Sequence, residues 1–317
     1  MTWLRLAVAN LGLSPLTSAV NVLLMALGTA SIVLLLLAGS QLSETMSRDA
    51  RGIDLVLGPT GSPFQLVLAA VYHADVPPGN IRLQEAERWA DDPRVGTAIP
   101  LSLGDSYRGY RIVGTTVAYA ELYGAGLAAG RFWGGVLEAV AGSAVAQSAG
   151  LGPGSDFAGA HGLSEGGHSH ESRPYRVVGV LEPTGTVVDR LILTSLESVW
   201  DLHAEEAAHA HDQHDEAGGD REDDHDHAGD SDYEHGHDDD HEREAHDHEQ
   251  VAGHDQPDPD REITAMLVRY SSPLAAMTLP REVNAGGVLQ AAAPAMEVSR
   301  ILQLVGIGLD GLSAFSW

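Results

Sequence analysis

The chain has 317 residues, with 45 acids against 18 bases, a formal charge of −27, and no cysteine. Asp201 to Glu262 carries −22 of that charge and 12 of the 16 histidines, leaving the other 255 residues near −5. The protein is therefore a near-neutral chain with one acidic, histidine-rich insert, and its overall charge says nothing about its partners. Every base is arginine, so a Walker-type phosphate loop, which needs its lysine, is excluded. The lack of cysteine excludes a disulfide framework, a thiolate metal site and a cysteine nucleophile. No basic patch with interleaved aromatics supports nucleic-acid binding.

In chain order, residues 1–15 read as an interfacial helix, with small, apolar and polar residues alternating from Leu6 to Ser14. Residues 16–39 read as a transmembrane helix. Leu16 to Leu37 is 22 residues of almost unbroken apolar sequence, and at 1.5 Å per residue it spans about 33 Å, one hydrocarbon core. A signal peptide has an apolar region of only about 7–15 residues. Charge alone does not orient the helix, since Arg5 lies on one side and Arg48 and Arg51 on the other.

Residues 43–296 read as an α+β domain, with a disordered His/Asp-rich insert over 203–262. Spacing predicts helices at Leu83–Ala90, Ser143–Ala149, Ser195–His203 and Pro273–Ala285. Alternation predicts strands at Ala98–Leu103, Tyr110–Thr116, Tyr175–Leu181, Leu191–Thr194 and Ile263–Tyr270. Gly150 to Gly154 reads as a turn, not a phosphate cradle. The apolar run of residues 297–317, broken by Arg300 and Asp310, reads as the start of a second transmembrane helix.

The insert carries the pairs His209/His211, His225/His227, His235/His237 and His246/His248, with His214 and His241 between them. A fifth pair, His168/His170, lies upstream. In an extended chain, residues two apart share a face, so each pair offers two imidazoles to one ion. With no sulfur ligand, zinc or nickel suits these imidazoles best, and the surrounding carboxylates concentrate divalent cations. Ordering so long a loop lowers the affinity at each site. His73 beside Asp75 reads as a loop histidine and not an acid–base pair. His161 lacks a supported nucleophile. Arg108 and Arg111 read as a solvated strand face, and Trp3, Trp133, Trp200 and Trp317 as packing or interfacial anchors.

Several stretches resemble the FtsX/MacB-like permease subunits of ABC transporters. They are Asp54–Leu68 (DLVLGPTGSPFQLVL), Ala98–Thr115, LAAGRFW from Leu127, Glu138–Leu151, Val177–Trp200 and Ala291–Gly308. The resemblance implies an N-terminal span, an extracytoplasmic core domain and a C-terminal return into the membrane, in a member that is C-terminally truncated. It further implies the bacterial inner membrane, a cytoplasmic N-terminus, a cytoplasmic ATP-binding subunit and a second permease copy as partners, with lipid around them and no enzymatic activity of the chain's own. The competing reading is a single-span periplasmic metal-binding or sensing protein.

Overall fold

The computed structural model describes residues 15–161, 173–203, 261–300 and 303. The interfacial helix expected before Pro15, the histidine insert beyond His203 and the apolar run beyond Arg300 lie outside the described residues, apart from residue 303 and the helical turn at 294–300 that leads toward it.

Helix α1 (Pro15–Asp49) is the one described helix long and apolar enough to cross a membrane, and none of its most apolar window is buried. Its internal hydroxyls turn inward: Thr29 Oγ1 and Ser31 Oγ each donate to the carbonyl four residues back at 2.9 Å. This satisfies them within the helix itself. The helix does not stop near Gly39 as composition implied; it runs unbroken for 35 residues, about 52 Å. The segment after Gly39 is made of good helix formers, and Gly52, at φ 83°, ends the run in the left-handed region that glycine accepts. Met46 and Asp49 are already buried in the domain, so span and domain share one rod.

Thirteen described strands follow: β1 (Leu55–Pro59), β2 (Ile81–Arg82), β3 (Val95–Tyr107), β4 (Tyr110–Gly114), β5 (Leu127–Gly130), β6 (Glu138–Ala141), β7 (Asp156–Phe157), β8 (Ala160–His161), β9 (Tyr175–Leu181), β10 (Leu191–Thr194), β11 (Glu262–Ile263), β12 (Ala265–Tyr270) and β13 (Leu289–Ala292). One mixed sheet runs in the order β13-β1-β12-β3-β4-β10-β6-β9-β5. Its first four strands are antiparallel, while β10–β4 and β6–β9 pair in parallel. Strand β3 is long enough to serve both halves, and its register shifts between Leu103 and Ser106. The expected strand Ile263–Tyr270 is split at Thr264, whose backbone N–H bonds Leu101 O at 2.8 Å and whose hydroxyl accepts from Leu103 N–H at 2.9 Å.

The helices cover this sheet: α2 (Pro63–Ala70), α3 (Leu83–Ala90), α4 (Val117–Leu122), α5 (Ser143–Ala149), a helix over 196–203, and α6 (Ala275–Ala285). Three buried clusters result. Val113, Leu191 and Leu193 belong to the one shared across the sheet, whereas Ile112 and Ile192, their neighbours in sequence, belong to another on the opposite face. Both faces of β4 and β10 are therefore covered. Arg94 links α3's exit to α6, bonding Asp92 and Glu282 at 2.7 Å each.

Candidate functional site

The junction of α1 with the sheet gathers the densest set of polar contacts. Tyr72 OH donates at 3.2 Å to Met46 O, which also accepts the Ala50 N–H, and Tyr123 OH donates at 3.0 Å to Asp49 O, a carbonyl that the helix end leaves open. Asp49 Oδ1 accepts the Val187 N–H at 2.9 Å. Arg48 donates to Gly185 O at 3.1 Å and pairs with Glu44 at 3.2 Å. Three separate chain segments thus grip the last turn of α1.

Behind the grip lie three buried rings. Those of Tyr123 and Tyr119 meet edge-on at 5.3 Å, and Tyr119 OH meets His73 Nε2 at 2.8 Å. His73 Nδ1 is buried with no hydrogen-bond partner. Burial, helped by the charges of Arg111 and Arg190, pushes the imidazole down to about 3, so it stays neutral. Burial also raises both tyrosines above their ordinary range.

A cavity of about 500 Å³ opens beside the grip, walled by Leu42, Met46, Leu68, His73, Arg111 and Arg190 among others. Arg111 is a correction to the sequence reading: it is 4 % exposed, not a solvated strand residue. It shares the inner face of β4 with Val113, and that face is covered. Arg108 does remain at the surface, in the turn that joins β3 to β4. There Arg108 and Gly109 both take positive φ, 49° and 80°, the two-residue hairpin geometry that suits the strand twist.

The structure does not join His73 and Asp75: Asp75 Oδ1 accepts from Val76 N–H and its carbonyl from Arg111. His161 sits in β8 with its backbone in register with Asp105. Trp133 packs on the shared core, and Trp200 Nε1–H donates to Glu262 O at 2.6 Å. Asp49, Tyr72, Tyr119, Tyr123 and Arg190 were not singled out from sequence. Only the four-residue spacing of Tyr119 and Tyr123, which places both on one helix face, carried a signal.

His209, His211, His214, His225, His227, His235, His237, His241, His246 and His248 all lie outside the described residues, and among the described residues no group of three or more metal-ligating side chains occurs. The flanks of that insert are described. Arg261 stacks 4.7 Å over Trp200, Arg173 pairs with Asp201 at 2.6 Å, and His203 Nε2 lies 3.9 Å from Asp105 Oδ1. The chain ends bounding 162–172 and 204–260 therefore meet around the helix over 196–203.

A family model described as the MacB-like periplasmic core domain matches residues 18–215, more than half of the chain, from within α1 past β10. The chain belongs to that family. Among solved structures, this MacB-like domain is similar to the periplasmic region of MacB from Actinobacillus actinomycetemcomitans, with 12 % identity, 80 % of this chain and 95 % of that one covered, and a TM-score of 0.42. It is also similar to the extracellular domain of the noncanonic ABC-type transporter YknZ from Gram-positive bacteria, with 10 % identity, 75 % and 98 % covered, and a TM-score of 0.37. Comparison with curated proteins gives no significant match. The MacB-like family is one of transporter permease components, whose members work with ATP-binding subunits.

Proposed function

We propose that this chain is the membrane subunit of an ABC transporter in which α1 carries motion between a cytoplasmic ATP-binding subunit and an outward-facing core domain. The observation that carries the proposal is the continuity of α1 into the sheet, gripped there by Tyr72, Tyr123, Asp49 and Arg48. A rod held by several hydrogen bonds, each worth about 1 kcal/mol, passes a displacement on, whereas a flexible linker absorbs it. In this reading the N-terminus is cytoplasmic in a bacterial inner membrane, a second permease copy pairs with the first, and no ATP is hydrolysed by this chain.

Purifying the tagged full-length protein from its native membrane tests it. The expected result is a stoichiometric partner carrying a Walker A lysine, identified by mass spectrometry, and ATP hydrolysis by the pair. Protein that purifies alone and without hydrolysis would favour the single-span sensing reading.

The insert is proposed to bind zinc, or nickel, through the ten histidines named above, with no tightly held cofactor. Support comes from the meeting of the flanks of 162–172 and 204–260 around one helix, which roots two histidine-bearing segments at one place. Zinc titration of the full chain against a variant with those ten histidines replaced by glutamine is decisive. Equal binding by the two would end the proposal.

A further inference from the structure

Arg111 is held at a place where a guanidinium is costly. It is 4 % exposed, it donates from Nη2 to Asp75 O at 2.7 Å, and its Nε has no partner. Among the described residues, no carboxylate lies within ion-pair distance of it. A buried charge with neither counter-ion nor full hydrogen bonding costs several kcal/mol, and such groups ordinarily occur paired. Arg190 adds a second guanidinium at the same cavity, and neither has an ion-pair partner among the described residues. Asp49 is the one acid in the wall, and its Oδ1 is taken by the Val187 amide.

The remaining wall mixes apolar Leu42, Met46, Leu68 and Leu191 with Thr45, Tyr72 and Tyr110. The α1 residues in the wall run from Leu42 to Asp49, five to twelve residues beyond Leu37, the end of the apolar stretch, so the cavity extends from about 7 to about 18 Å past the hydrocarbon edge. Its inner end at Leu42 reaches the headgroup layer, about 5–7 Å thick on each side. A cavity with two guanidiniums outside ion-pair distance of any described carboxylate, four aliphatic side chains in its wall and an inner end in the headgroup layer fits the head of an anionic lipid.

We propose that this cavity binds the phosphate of an anionic phospholipid headgroup, with Arg111 as its principal ligand and Arg190 at its mouth. Guanidinium forks match phosphate oxygens, and the match is strongest away from bulk water. The lipid would then complete the grip on α1 at the point where it leaves the membrane. The proposal rests on α1 spanning a membrane.

The test uses the full-length protein in dodecyl maltoside, which contains no phosphate, titrated with phosphatidylglycerol, diacylglycerol or inorganic phosphate. Phosphatidylglycerol is expected to raise the melting temperature and to stay bound in native mass spectrometry, while diacylglycerol and inorganic phosphate do neither. Arg111→Met is expected to melt higher than wild type without lipid, because it removes a buried charge that has no ion pair, and to bind phosphatidylglycerol at least about tenfold more weakly. Arg190→Gln, at an exposed position, is expected to fold normally and bind a few-fold more weakly. Equal binding by wild type and Arg111→Met, or the whole effect reproduced by inorganic phosphate, would overturn the lipid site. A protein that extracts from membranes without detergent would instead overturn the membrane reading on which it rests.

Discussion

His73 shows how much one side chain's surroundings decide. It sits at φ 52° between α2 and the tyrosine pair, bonded through Nε2 and bare at Nδ1. Its titration, lowered from 6.5 to about 3, means that protonation favours the unfolded chain. The stability it contributes is complete above about pH 6.5 and is lost as pH falls from there toward 3. Asp92 and Glu138 are lowered to about 2, each by hydrogen bonds from an arginine first of all, so their contributions fail only in stronger acid. His73→Asn keeps a residue that tolerates positive φ and removes the titration. Its melting temperature, compared with wild type across pH, should fall less between pH 6.5 and 4 while the steeper acid limb is retained. Identical slopes would contradict this assignment.

The same scale shows what the sequence could carry. The alternation Tyr110-Arg111-Ile112-Val113 announces a strand, but not that both faces are covered, and so Arg111 reads as exposed when it is buried. Burial of a charged residue depends on what distant segments lay over it, here α1 and the chain around Asp75, and no local pattern encodes that.

Among elements, α3, α5, β9 and β10 match their expected bounds, since each has clear spacing between turn residues. Strands β6 (EAVA) and β13 (LQAA) gave no signal, because alanine has little strand preference. Small residues are needed there: a Cβ on Gly142, just after β6, would lie 2.4 Å from Val188 O. The same closeness that makes β6 a central strand removes the bulky residues by which strands are recognised. The grip on α1 was equally hidden, because its parts are scattered from Arg48 to Val187. Tyr72→Phe and Tyr123→Phe each remove one hydrogen bond to the end of α1 and should cost about 1 kcal/mol. Together they should speed amide exchange in the last turn of α1 while leaving β3 and β12 protected. Uniform loss of protection across the sheet would mean that the tyrosines support the core and not the joint.

For the whole molecule, an N-terminal apolar helix leading into a mixed α/β domain was legible, and the insert's charge was located without a structure. The absence of cysteine turns the architecture into a clean experiment, since any introduced thiol is the only one. Leu274, 74 % exposed before α6, and Thr2, ahead of the span, lie on opposite sides in the proposed arrangement. Leu274→Cys should react with a membrane-impermeant maleimide in intact spheroplasts, and Thr2→Cys only after lysis. Equal labelling of both before lysis would contradict a spanning α1 with an outward-facing domain.

The most direct measurement of coupling is the response of the outer domain to nucleotide. Full-length protein carrying a fluorophore at Leu274→Cys would be reconstituted in vesicles with its ATP-binding subunit. Addition of ATP should change the fluorescence, and Tyr72→Phe with Tyr123→Phe should shrink that change while hydrolysis continues. A signal indifferent to ATP, or a response of full size in the double variant, would contradict the claim that α1 and its grip carry the motion.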